Sequence, residues 1–246
     1  MAAWWMPGAL SIPDSSPFLD YLRDVGTMTG MKQTTQKMAD TGHVGRARAP
    51  RTPPAQRRQQ LLDAAERLLA EGGSDALRMD ALARAGGVTR PVVYDHFGDR
   101  DGLVVALLER HAARVRAHVA AAEVPGAPFE DELQAATRAY LEVACRHGSA
   151  MRALVSTQHL SPVTEAARRS NWDGAAAHWA ARYRAHADLT PRDATALATA
   201  HLAALAALAG SCIEGRLSIT RATELHVTST LAALQSVSVR LKELRS

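Results

Sequence analysis

Residues 78–103 read RMDALARAGGVTRPVVYDHFGDRDGL. Met79, Leu82 and Ala83 recur at helical spacing and stop at Gly86-Gly87; Thr89 then caps a second helix, from Arg90 to about Phe97. Two short helices joined by a glycine-containing turn of three to four residues are the layout of a helix-turn-helix DNA reader. Leu82 and Ala83 face inward, Gly87 supplies a left-handed turn residue, and Val88 plugs the junction. Val93 and Phe97 anchor the second helix from beneath. That leaves Arg90, Pro91, Val92, Tyr94 and Asp95 facing outward near its start, where a recognition helix meets base edges.

The flanks extend this unit in both directions. Thr52-Pro53-Pro54 opens a helix, because proline is tolerated where the first N–H groups have no intrahelical partner. Leu61, Leu62, Ala65, Leu68 and Leu69 form one apolar stripe, which Gly72-Gly73 ends. Asp99 caps a helix carrying Leu103, Ala106, Leu107 and Arg110 and running to about Ala121. After a break at Pro125 to Pro128, helices are predicted at about 129–147, 149–157, 162–186, 191–215 and 220–244. Their boundaries are Gly148, Ser161-Pro162, Thr190-Pro191 and residues 217–220, and Ser161 and Thr190 each stand as N-cap before a proline. β-Branched and aromatic residues never alternate over a useful length. The fold class is therefore all-α: an N-terminal three-helix bundle with a helix-turn-helix at 51–116, and a C-terminal helical ligand-binding and dimerisation domain at 117–246.

The run Leu82-Ala83, Gly87-Val88-Thr89, Tyr94, His96-Phe97 and Leu103 resembles the TetR-type (tetracycline repressor-like) transcriptional regulators. The resemblance is specific over about residues 55–105. Over residues 125–246 it is one of architecture, and residues 1–50 have no counterpart. It implies a DNA-contacting set of Arg78, Thr89, Arg90, Pro91, Val92, Tyr94, His96 and Arg100. Arg90 would grip guanine and Val92 touch a thymine methyl, with the Pro91 ring presented to the groove. Tyr94, His96 and Arg100 would bind phosphate and fix register. Arg78 stands where the family commonly has a small hydroxyl cap, which trades capping for a phosphate contact. Asp95 is repelled by DNA unless it accepts from a cytosine or pairs with arginine.

In the second half, residues 193–215 (DATALATAHLAALAALAGSCIEG) are small and apolar around nearly the whole helix, which must be buried on several sides. Ala203, Ala206, Ala207 and Gly210 permit close approach, and Leu231, Leu234, Val237 and Leu241 form a stripe on the last helix. An isologous two-fold homodimer with a four-helix interface is expected, as the resemblance also implies. Tyr140, Cys145, Met151, Trp172, Trp179 and Tyr183 are the candidates to line a pocket for an unidentified small-molecule effector, each with a plain core reading beside it. His178 and His186 lie two turns apart, too far to share a metal without another helix, so no metal and no cofactor are expected.

Composition bounds the remaining classes. With 246 residues, 47% hydrophobic and 22% charged, the chain has ample material for a core, so collagen-like and fully disordered classes fall away. Cys145 and Cys212 are 67 positions apart and make no zinc or redox motif, which suits a reduced cytoplasmic protein. Glycine-rich phosphate loops, HExxH and GxSxG are missing, and with about 100° per residue on a helix Cys145 and His147 do not face each other, so an enzyme is not expected. The net charge of +4 is uneven: residues 1–31 carry −2, residues 32–60 carry +6, and the rest balances. Residues 1–50 are expected to be a disordered, partly basic extension; docking as a short helix and translation from a later methionine are the open alternatives. No secretory signal is visible, and residues 194–213 read as too rich in alanine and threonine for a membrane span. The expected function is a homodimeric, ligand-released repressor that binds a palindromic double-stranded operator. The alternative is a helix-turn-helix DNA-binding protein, an activator or an architectural protein, with no small-molecule response.

Overall fold

The structure, a computed structural model, describes residues 52–155 and 161–243, so the expectation for residues 1–50 lies outside them. Among the described residues it contains eight helices and no strand: α1 (Pro54–Ala76), α2 (Met79–Ala85), α3 (Arg90–Phe97), α4 (Arg100–Ala122), α5 (Phe129–Val155), α6 (Pro162–His186), α7 (Pro191–Ile213) and α8 (Ile219–Glu243).

Helices α1 to α3 close around a core of Leu61, Leu62, Ala65, Leu69, Leu82, Ala83, Val93 and Phe97, completed by Leu103 and Leu107 of α4. Leu61, Leu82, Val93 and Leu103 are fully buried, each contributing about 1.5–3 kcal/mol of transfer free energy. Gly87 has φ +62°, the left-handed conformation expected of it between α2 and α3. The stop at Gly72-Gly73 is a kink instead: Gly73 takes φ 66° and the chain resumes one helical turn to Ala76. Asp99 caps α4 as expected, accepting from the Gly102 N–H at 2.8 Å.

One boundary was misjudged. Gly148 does not end a helix; α5 runs unbroken through it from Phe129 to Val155. The glycine serves a close approach, because a Cβ there would stand 2.9 Å from Ile213 Cδ1 on α7. Further on, Ser161 and Thr190 cap α6 and α7, accepting from the Thr164 and Asp193 N–H groups. Two further cores hold α5 to α8 together. One gathers Tyr183, Leu189, Ala194, Ala198 and Leu234; the other gathers Leu141, Ala144, Leu205, Ala209 and Ala222.

Helix α4 packs on α1, α5 and α6. Arg110 pairs with Asp63 and Arg114 Nη1 with Glu66 Oε1 at 2.6 Å, so two arginines one turn apart on α4 hold α1. Ala150 of α5 enters the α1–α4 core. His111 lies in this junction, and burial, with Arg114 and His147 nearby, lowers its pKa to about 4.

Candidate DNA-binding surface and effector seam

Helix α3 presents two faces. Val93 (0% exposed) and Phe97 (7%) are its floor, while Arg90, Pro91, Tyr94 and Asp95 are exposed on the opposite side. Val92 and His96 are half-buried flanks. A tyrosine left 42% exposed above a packed floor is available for contact instead of burial.

Thr89 occupies the N-cap position of α3 with extended backbone, but the cap expected of its hydroxyl is absent. The reason is local. An N-cap side chain accepts from the second or third helical N–H; here the second residue is Pro91, which has none, and the Val92 N–H already donates to the Thr89 carbonyl at 3.1 Å. The hydroxyl is left exposed beside Arg90.

The flanking arginines are tied down to different degrees. Arg78 stands before α2 without capping it, its Nε 3.4 Å from Asp80. Burial raises the Asp80 carboxyl, yet the charge of Arg78 and the hydrogen bond from Arg84 outweigh that and hold it below its ordinary range. Arg100 has an internal role that the sequence did not suggest: its Nε donates to the Leu77 carbonyl and its Nη2 to that of Ser74, at 3.1 and 3.3 Å. It thereby ties the chain where α1 ends to the start of α4. The sequence also gave no sign of Arg58, which donates from Nη1 to the His96 carbonyl at 2.8 Å and lies over the Phe97 ring.

Among the described side chains, the aromatic and sulfur residues expected to line a pocket fall in different parts of the helical domain. Tyr183 and Trp179 pack together with Phe129 in the α6–α8 core. Tyr140 belongs to the separate Leu141 core, Cys145 is exposed and Trp172 is half-buried. The Met151 side chain lies outside the described residues. An open groove of about 570 Å³ along α6, between Pro162 and Asp173, touches none of them.

A buried polar seam instead runs from α6 across α7 to α8. Tyr183 and His201 share a hydrogen bond of 2.9 Å, and the His226 ring lies 6.2 Å from that of His201. Burial pushes the Tyr183 phenol up and His201 down. Burial, assisted by His201, takes His226 to about 4, so the seam is uncharged at neutral pH. Among the described residues, His226 Nδ1 and Thr230 Oγ1 are buried without hydrogen-bond partners. Buried polar atoms without a partner carry a desolvation cost.

The dimer stripe divides. Ala203, Ala206 and Ala207 are exposed, and Gly210 has open space above it. Leu234, however, is 1% exposed and packed against the Tyr183 core, so a second copy cannot reach it. Leu231 and Val237 are half-buried, and the Leu241 side chain lies outside the described residues. Helix α7 has the length and composition of a membrane span, as a packed core helix also can, and here it packs on α5, α6 and α8. No three His, Cys, Asp or Glu side chains meet in a metal-binding group among the described residues.

Residues 61–107 match the sequence model of the bacterial regulatory proteins, tetR family. Over 98 residues the chain is 35% identical to the HTH-type transcriptional activator FasR of Mycolicibacterium smegmatis, covering 40% of this chain and 45% of that one. Over 62 residues it is 37% identical to the HTH-type transcriptional repressor AcnR of Corynebacterium glutamicum, covering 25% and 33%. The chain thus matches less than half the length of these curated relatives. The crystal structure of a TetR-like transcriptional regulator from Rhodococcus sp. superposes with a TM-score of 0.63 at 25% identity, over 75% of this chain and 99% of that one.

Proposed function

From the premise that the chain belongs to the tetR family of bacterial regulatory proteins, we propose that this transcriptional regulator acts as a homodimeric repressor released from a palindromic operator by a small uncharged ligand. The observation that carries the reading is α3, whose exposed Arg90, Pro91 and Tyr94 stand on a fully packed floor of Val93 and Phe97. Such a helix presents its N-terminal side chains to a major groove without deforming its support. Arg90 and Val92 read bases; Thr89, Tyr94 and His96 hold phosphates, with Arg78 and Arg100 at the margins. Helices α1 to α3 and the start of α4 form the reading half, and the rest of the chain from about residue 117 forms the sensing and dimerising half.

Dimerisation is supported by α7. Only 22% of its most apolar window is buried within one protomer, leaving an uncharged face that includes Ala203, Ala206 and Ala207. A second copy covers such a face isologously, setting two α3 helices about 34–36 Å apart, one turn of DNA. Effector binding is supported by the Tyr183–His201–His226 seam, whose neutral groups and two orphaned atoms suit an uncharged hydrogen-bonding ligand. Release then follows from a preference of the ligand for a protomer arrangement with a different α3 spacing.

The test is a titration of the homodimer onto DNA from upstream of its own gene and onto scrambled DNA, across a salt series. A preference above about a thousandfold supports operator binding, and equal affinity for both rejects that fragment as the operator. The activator FasR gives the second reading its footing. Transcription from the same fragment with and without the protein decides the sign.

A further inference from the structure

Cys145 lies on α5 and Cys212 on α7, 67 positions apart, yet the fold brings them together where Ala144 of α5 meets Ala209 of α7. The neighbourhood explains how. Ala144 and Ala209 are both small and share one buried cluster with Cys212 packed against it, while Gly148 takes Ile213 where a Cβ would collide. These small residues let α5 and α7 approach closely. Cys145 is exposed and Cys212 half-buried, so one thiol faces solvent and the other waits beside it.

We propose that Cys145 and Cys212 form an intrachain dithiol–disulfide couple that is oxidised by low-molecular-weight disulfides and staples α5 to α7. The Cys145 thiolate attacks one sulfur of the oxidant RSSR, forming a mixed disulfide and expelling RS⁻. The Cys212 thiolate then attacks the Cys145 sulfur, forming the Cys145–Cys212 bond and expelling the second RS⁻. The protein loses two protons and two electrons, and RSSR is reduced to two RSH. The order of attack follows from the pair itself. Burial raises both thiols, and Cys145 is exposed while Cys212 is half-buried, so the oxidant reaches Cys145 first. The staple acts beyond α7, because Ala150, five residues along α5 from Cys145, sits in the core of the reading half. Oxidation therefore restricts sliding between the helix that touches that core and the helix that carries the dimer face.

The experiment incubates the reduced full-length protein with glutathione disulfide, alkylates what remains free and maps peptides without reduction. The expected product is one Cys145–Cys212 crosslink within a single chain, both thiols vanishing together and returning with dithiothreitol. The oxidised protein melts several degrees higher than the reduced protein, and neither Cys145→Ser nor Cys212→Ser shows that shift. Cys212→Ser accumulates a stable glutathione adduct on Cys145. A persistent adduct on Cys145 of the unmodified sequence with Cys212 still alkylatable would overturn the proposal. So would a disulfide joining two copies, or oxidation without a change in melting.

Discussion

The guanidinium of Arg58 lies 4.7 Å from the centroid of the Phe97 ring and donates to the carbonyl of His96, clamping the start of α1 onto the end of α3. A residue that counts toward the basic arm by sequence is therefore an anchor for the recognition helix. Arg58→Ala is expected to lower unfolding free energy by about 2 kcal/mol, from one cation–π contact and one charged hydrogen bond. Urea denaturation checks this. Unchanged stability with weakened DNA binding would make Arg58 a phosphate ligand instead.

Arg90 and Arg100 separate base reading from support. Arg90→Ala is expected to cost about 1–3 kcal/mol on the matched operator and little on scrambled DNA. Arg100→Ala removes donors to the Leu77 and Ser74 carbonyls, so it lowers melting temperature as well as affinity for every sequence. Competition binding beside thermal melts distinguishes the two, and equal loss on both DNAs for Arg90→Ala removes it from base reading.

Ala207 and Leu234 part in the same way. Ala207 is exposed on the protomer, so Ala207→Glu leaves the fold intact and places a charge in the proposed dimer face. Sedimentation is expected to show monomers with an unchanged helical spectrum; dimers would move the interface off α7. Leu234→Ala empties a core position and is expected to cost about 2–5 kcal/mol of protomer stability.

Acid sensitivity follows from His226 and His111, both brought to about 4 chiefly by burial. Their unfolded pKa is near 6.5. Between these values the unfolded chain binds more protons, so stability falls as pH drops from about 6.5 toward about 4, by at most about 1.4 kcal/mol per pH unit for each histidine. Denaturant melts at pH 7, 6 and 5 measure the slope. His226→Asn is expected to flatten it, and an unchanged slope would place the titration elsewhere.

Legibility in the sequence tracked locality. Helices α2 and α3, their turn at Gly87 and the Asp99 cap depend on neighbours within four residues, and periodicity with capping chemistry places them correctly. Gly148 failed because a glycine that breaks a helix and one that admits Ile213 look alike until the partner helix is known. Thr89 failed because its cap depends on which N–H groups remain free after Pro91. Arg58 with Phe97, Cys145 with Cys212 and Tyr183 with His201 are pairings across the tertiary fold, and no local pattern encodes them.

The two arginine ties between α4 and α1 have a mechanical consequence. With about 1.5 Å of rise per residue, the 23 residues of α4 make a rod roughly 35 Å long. Arg110 and Arg114 fasten α1 to its middle, and α1 clamps α3 through Arg58. A tilt of the rod by about 5° about its far end swings the near end by roughly 3 Å, given that length. In a two-fold pair both arms swing, so the gap between them changes by about twice that. Gearing of this kind would let a small displacement among the helices proposed to sense the effector mismatch both arms to the pitch of DNA.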